Sequence, residues 1–322
     1  MHLSPVCRPT PPMSKRDEGR TGPAIASTPP ATDLFPAKDL FDEDWLRARE
    51  PVDHRSRDKT LVERLDRGWS GRREVVLVDL GCGTGSNARF VAPRLRTPAR
   101  RQRWVFVDHD ETLLAQVDAP PDAQQSRQIH ADLDDFVSRM SSLGGRFDAI
   151  TASALLDLVS ESWLRRLVDV CRRHSIAALF ALTYNGLVEW TPIGDDSTAS
   201  SRLPTGSADD QYVRELVNQH QHRDKGLGAA LGPAAGTIAE ALFQDAGHRT
   251  ILVATPWRLT AADTAVMEPL VDGWVEAAID CAPAAAARIQ QWALHRKSDL
   301  YEGRVTLTVG HVDLLALPGD VA

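Results

Sequence analysis

Residues 75–90 read VVLVDLGCGTGSNARF. Val75, Val76, Leu77 and Val78 form a continuous apolar, β-branched run, the pattern of a strand buried on both faces. The run ends in Asp79 and then in three alternate glycines, Gly81, Gly83 and Gly85. A helix follows at once, expected over residues 86–95. Glycine lets the backbone turn sharply and approach a ligand with no Cβ in the way. The helix start behind the turn offers N–H groups that have no intrahelical partner. A buried strand, a glycine turn and a helix in immediate succession therefore predict a ligand-binding βα unit.

Working outward, the same alternation continues. Strands are expected at 104–107, 127–130, 147–152 and 176–182, and helices at 111–117, 132–140 and 161–172. Trp163, Leu164, Leu167 and Val170 mark one face of the last of these helices. Five β-α repeats in a row imply a parallel sheet with helices on both faces. Residues 39–69 have a helical pattern that Pro51 is expected to interrupt. Beyond the fifth repeat, residues 195–206 read as a polar, Ser-rich loop. Tyr212, Val213, Leu216, Val217 and His220 mark a helix, residues 234–246 another, and residues 250–254 a strand. A stripe from Val266 to Ala278 and a second helix to about residue 295 follow. Residues 305–309 alternate strictly, which suits an antiparallel strand. No internal repeat is present.

A dinucleotide-binding fingerprint spaces its glycines G-x-G-x-x-G/A after the strand. Here the spacing is G-x-G-x-G, Ser86 takes the place of the last small residue, and Asp79 lies two positions before the first glycine. This D-x-G-x-G-x-G form resembles motif I of the Rossmann-like (class I) S-adenosylmethionine-dependent methyltransferases. The resemblance covers residues 75–183 well and the rest by topology, with strands near 250 and 305 as the closing antiparallel pair of a mostly parallel, seven-stranded α/β sheet. It implies S-adenosylmethionine as cofactor, with Gly81, Cys82, Gly83 and Gly85 packed against its methionine part and Asp79 near its amino end. Asp108 ends the second strand, where a carboxylate can accept both ribose hydroxyls. His109 follows it. Asp132, in HADLDDF, matches the family's acidic position beside the adenine, with Leu133 near the ring and Ser153 at the end of the fourth strand. Taken singly, each acid reads equally well as a helix N-cap. Three acids at three successive strand ends fit the ligand edge better.

The resemblance is silent on the acceptor. The fourth strand leads into TASALLDLVSESW, which lacks the Asn/Asp-Pro-Pro-aromatic signature of the family's nucleic-acid amino methyltransferases. Two stretches, about 185–232 and 258–300, read as lid insertions, and residues 36–72 as a helical cap. Candidates near the reacting atoms are Asp157 and Tyr184, just beyond strand ends, and His220 and His222 in NQHQHRDKGLG. Both histidines read equally as a polar helix end. They are two residues apart and face away from each other, so no metal pair is expected. Arg55 and Arg57 are read as helix-surface residues, with contact to the cofactor carboxylate as the alternative. Other readings are a nicotinamide-dependent oxidoreductase, a non-catalytic adenosyl-binding module and aminopropyl transfer from a decarboxylated cofactor.

Bulk composition narrows the field. The 322 residues are 43% hydrophobic and 25% charged, an ordinary globular balance. Net charge is −7, a poor match for a phosphate backbone. The arginines between 94 and 103 read as a solvated loop. Cys7, Cys82, Cys171 and Cys281 form no CxxC pair and read as separate reduced thiols, with Cys82 chosen for its small size. No run reaches membrane-spanning length and no signal-peptide core is present. Residues 1–35 are rich in Pro, Ser, Thr and charge and are expected to be disordered, with Met13 an alternative start. The expectation is a cytoplasmic enzyme acting on a small molecule, without nucleic acid, membrane or metal.

Overall fold

The computed structural model describes residues 43–96, 100–140, 146–193 and 206–319. The expected N-terminal tail and most of the Ser-rich loop lie outside these residues. The chain opens with helices α1 (Glu43–Ser56) and α2 (Lys59–Gly68). The parallel core follows as β1 (Glu74–Leu80), α3 (Ser86–Val91), β2 (Arg101–Asp108), α4 (Glu111–Ala115), β3 (Ala123–His130), α5 (Leu133–Arg139), β4 (Ala149–Ser153), α6 (Glu161–His174) and β5 (Ala177–Pro192). The remainder is α7 (Ala208–Gln221), α8 (Ala235–Asp245), β6 (His248–Ala254), β7 (Trp257–Leu259), α9 (Thr264–Cys281), α10 (Ala286–Tyr301) and β8 (Val305–Pro318).

The strands lie in the order β3-β2-β1-β4-β5-β8-β6, and β7 pairs with β8 off this path. Strands β1 to β5 pair in parallel, while β8 runs antiparallel between β5 and β6. The order reverses at β1, which β2 and β4 flank, and a ligand crevice forms at such a switch point. This is the mixed, mostly parallel Rossmann-like sheet expected, with β7 as an eighth strand. Apolar side chains pack on both faces. Phe136, Trp163 and Phe243 belong to one cluster and Leu61, Phe90 and Trp104 to the other. A third cluster, around Trp190, Trp274 and Trp292, joins α1, α7, α9 and α10 to the outer ends of β5 and β8 and to β7.

Four local readings need correction. Helix α1 runs through Pro51. The proline is exposed while Val52 and Asp53 beside it are buried, so the missing N–H removes one bond and packing keeps the helix. Strand β5 continues to Pro192, so residues 185–192, read as the start of a lid, are strand. The Asn185-Gly186 pair makes a bulge instead of ending the strand: Gly186 has φ +85, and the register against β8 shifts between Tyr184 and Val188. Gly310 lies opposite, and a Cβ there would come within 2.1 Å of the Asn185 side-chain oxygen. That close approach explains why β8 passes through a glycine and runs on to Pro318. Finally, the arginine run is not one solvated loop. Arg101 and Arg103 belong to β2, and buried Arg100 pairs with Asp66 and donates to the Trp69 carbonyl at 2.8 Å.

Candidate functional site

The C-terminal ends of β1, β2, β3 and β4 bring the expected residues to one edge of the sheet. Gly81, Gly83 and Gly85 all have left-handed backbone, with φ of +60, +51 and +87. A Cβ at Gly83 would meet the Leu46 side chain of α1 at 3.3 Å, and one at Gly85 would meet Val117 at 3.3 Å. The loop is thus a cradle that side chains on either side leave no room to widen. Cys82 is buried in it, its N–H donating to the Val107 carbonyl at 3.2 Å. Burial pushes its thiol well above the ordinary range, so it serves as a small core residue and not as a nucleophile.

Asp79 is fully buried. One oxygen accepts from the Thr151 hydroxyl of β4 at 2.7 Å and from the Asn87 amide of α3. The other oxygen, Oδ2, has no partner. Burial raises the carboxyl to about 6, against the lowering effect of those two hydrogen bonds and of Arg57. A buried carboxylate oxygen left unbonded is costly unless a ligand completes it. Asp108 accepts from Gly83 N–H at 2.8 Å and from Asp110 N–H at 3.0 Å, which ties the second strand end to the glycine loop. Each oxygen still has an accepting position. His109 is exposed, with Nδ1 3.3 Å from Asp108. Asp132 is exposed and caps α5 through Asp134 N–H at 2.7 Å, so the capping role is real there. Leu133 is buried, and its Cδ1 lies 4.0 Å from where a Gly81 Cβ would sit. Ser153 is half-buried and precedes Ala154, whose φ of +53 is rare for a residue with a Cβ.

Helix α1 covers this edge. His54 contacts the Ser86 carbonyl at 3.0 Å, and Glu50 receives Arg89 Nε at 2.8 Å. A cavity of about 180 Å³ lies between α1 and the loop, with Glu50, Thr84 and Arg89 among its lining. Arg57, at the α1–α2 junction, is buried and donates to Asn87 Oδ1 at 2.8 Å, so its reading as a helix-surface residue is corrected. Arg55 pairs with Asp263 at 2.8 Å on the outside.

After β4 and along β5 and β8 the structure gathers a second group, in which Tyr184, expected just beyond a strand end, lies inside β5. Asp157 is buried and raised to about 6 by burial, against hydrogen bonds from backbone N–H groups including that of Tyr184. Its Oδ1 has no partner. The Tyr184 hydroxyl donates to Asn218 Oδ1 of α7 at 2.8 Å, and burial pushes its pKa upward. His311 packs against Tyr184 and Trp257, with ring centroids 6.2 and 5.0 Å away. Burial and the Arg49 charge hold it neutral, down to about 3. His220 and His222 lie at the end of α7 instead. His220 is lowered to about 4 by burial and by Lys225 and Arg223, and its Nε2 is 3.5 Å from Asp280. His222 Nδ1 is 3.3 Å from the Ala230 carbonyl, closing the loop that follows the helix.

Sequence reasoning missed Asn87, Thr151, His311 and Asn218. Three of these carried a signal. Thr151 and His311 are polar residues within largely apolar stretches of strand, and Asn87 follows the glycine loop by two residues. Among the described residues no group of three or more His, Cys, Asp or Glu is placed to hold a metal ion, and no helix is long and apolar enough to cross a membrane.

A Rossmann-like sheet with a left-handed glycine cradle and acids at successive strand ends has the form that suits an adenosyl-type ligand at its switch point. Residues 77–175 match the family model described as Methyltransferase domain. That match places a methyltransferase domain at residues 77–175 of the chain and supports S-adenosylmethionine as its cofactor. No curated protein matches the sequence. Similar solved structures include a cyclopropane synthase from Mycobacterium tuberculosis, 13% identical over 88% of this chain and 100% of that one, with a TM-score of 0.44. Another is a cyclopropane-fatty-acyl-phospholipid synthase-like protein from Lactobacillus casei, 10% identical over 84% of this chain and 92% of that one, with a TM-score of 0.47.

Proposed function

We propose that this methyltransferase acts on a small-molecule acceptor held in the enclosed group around Asp157 and Tyr184. When bound, S-adenosylmethionine supplies an electrophilic methyl carbon on a sulfonium, open to in-line displacement by the acceptor. The residues that would hold it are Asp79 and the glycine loop at the methionine end, Asp108 with His109 at the ribose, and Asp132 with Leu133 at the adenine. Ser153 and the backbone after β4 border the methyl-bearing side. The unbonded Asp79 oxygen and a cradle that a Cβ would crowd are what fit this chain to that ligand.

The observation that carries the acceptor reading is the buried, unbonded Oδ1 of Asp157 at the edge of the fourth and fifth strands. Its carboxylate is fixed by backbone donors, which leaves one oxygen to accept an acceptor's N–H or O–H. Holding that group near the methyl carbon supplies much of the acceleration such a displacement needs. Tyr184, Trp257 and His311 are each less than a tenth exposed, which favours a small acceptor shielded from water over a macromolecular surface. In this reading α1, α7 and the α9–α10 pair form the lid that the insertions suggest, and His220 and His222 are structural. The test is methyl transfer from S-adenosylmethionine labelled at the methyl group into a cell extract, separated into dialysable and macromolecular fractions. Label in the dialysable fraction supports the proposal, and label confined to protein or nucleic acid refutes it.

A further inference from the structure

Arg57 is an unusual residue to find at a helix junction with almost no exposure. A buried guanidinium is expensive unless its donors are used and its charge is answered. Its Nη1 donates to Asn87 Oδ1 at 2.8 Å, its ring-facing side lies 4.1 Å from the centre of Phe90, and its Nε has no partner. The contact fixes the amide of Asn87. Arginine only donates, so the Asn87 oxygen must face it, and the Asn87 nitrogen is left to donate to Asp79 Oδ1. Thr151 donates to that same oxygen. One carboxylate oxygen is thereby saturated from α3 and β4, while Oδ2 is reserved, buried and unbonded.

We propose that Arg57 is a positioning residue for the cofactor, fixing the Asp79 carboxylate through Asn87 as the acceptor for the ammonium group of the methionine moiety. The inference rests on the reading of Asp79 as the residue at that amino end. It adds that the α1–α2 junction, outside the matched domain, governs how well the motif binds.

The electrostatics around the relay support it. Asp79 is opposed by Asp108 from β2 and faces the Cys82 thiol of the loop, and Arg57 is the cation that favours its charged form. Arg57 is itself answered by Asp53 of α1 and Asp313 of β8 and opposed by Arg94 beyond α3. Asp313 is occupied elsewhere, accepting from Leu182 N–H at 2.8 Å and from the Thr255 hydroxyl at 2.9 Å. Without Arg57 the Asp79 carboxyl keeps its burial and its repulsion by Asp108 and loses its attraction. It would then hold its proton to higher pH, and a protonated acid makes a poor partner for an ammonium.

The experiment is calorimetric titration of the full chain with S-adenosylhomocysteine and with 5′-methylthioadenosine, which lacks the amino-acid part, across about pH 5 to 8. In the wild type, S-adenosylhomocysteine affinity should rise through about pH 6 while methylthioadenosine affinity stays flat. Arg57→Met should move that rise upward by about one pH unit, costing roughly tenfold in S-adenosylhomocysteine affinity near the midpoint, and leave methylthioadenosine unchanged. Arg57→Lys, which can still donate to Asn87, should return the profile toward wild type. Equal losses for both ligands in Arg57→Met, or an unmoved profile, would overturn the proposal. A flat wild-type profile for S-adenosylhomocysteine would overturn it even if Arg57→Met does not fold. Binding of neither ligand to the wild type would overturn the cofactor assignment itself, which is a separate and recognisable failure.

Discussion

Replacing Arg296 by methionine should be the most damaging single charge change among helices α7, α9 and α10. Arg296 is fully buried on α10. It pairs with Asp210 of α7, with Nε at 2.9 Å, and with Asp299 at 3.2 Å, and its guanidinium lies 5.1 Å from the Trp190 ring centre. Methionine keeps much of the volume but leaves two buried carboxylates without this cation. Asp210 would retain Trp292 Nε1 at 2.8 Å, and Asp299 would retain Arg304 Nε at 3.0 Å. Breaking a buried pair from one side costs about 3–5 kcal/mol, a large share of the roughly 5–15 kcal/mol that holds a domain folded. The comparison is Arg223→Met, which breaks the exposed Arg223–Asp280 pair, worth about 1 kcal/mol or less. Urea unfolding followed by tryptophan fluorescence reports this region directly, since Trp190, Trp274 and Trp292 lie in it. Helix α7 also carries Asn218, which receives the Tyr184 hydroxyl, so acceptor turnover should fall with the loosening. An Arg296→Met variant no less stable than Arg223→Met would refute the reasoning.

Two further outcomes follow from the proposed acceptor site. His311 is held at about 3 in the folded chain against about 6.5 unfolded. The unfolded chain therefore binds the proton first as pH falls, and stability is lost below about 6.5. Between about pH 7.5 and pH 5 that loss is about 2 kcal/mol, so His311→Phe should be less acid-sensitive than wild type by that amount in urea unfolding; equal slopes would contradict it. Asp157→Asn should bind S-adenosylhomocysteine as wild type does, yet lose about ten- to hundredfold in kcat/KM for the acceptor. Unchanged kcat/KM would remove Asp157 from the acceptor site.

Much of the fold is legible because its signals are local. VVLVDLGCGTGS states a buried strand, a turn that needs left-handed backbone and a helix start within twelve residues. The helices flanking the sheet announce themselves by apolar spacing, and Asp110, Asp132 and Ser160 cap α4, α5 and α6 as such residues do. What misled were residues whose meaning depends on a distant neighbour. The stretch from about residue 185 reads as a lid until Gly310 is seen across the ladder, where Asn185-Gly186 is a bulge that lets β5 run on. Arg57 and Arg100 read as surface charges because their partners, Asn87 and Asp66, are about thirty residues away in sequence. Asp132 carries both meanings at once: its carboxylate caps a helix, and its place at a strand end is the place expected for an adenine-facing acid. Nothing local distinguishes His220 as a base from His220 as a helix end, and only its contacts with Lys225 and Asp280 show what surrounds it.

The most direct measurement is calorimetry of the full chain with S-adenosylhomocysteine, beside NADH and a Gly85→Val variant. Gly85 has φ +87 and only 3.3 Å to Val117, so a β-branched residue there must distort the cradle. The account predicts micromolar binding of S-adenosylhomocysteine to the wild type, loss of that binding in the variant and no binding of NADH. Binding of NADH, or wild-type affinity retained by Gly85→Val, would contradict the reading of the glycine loop on which the site rests.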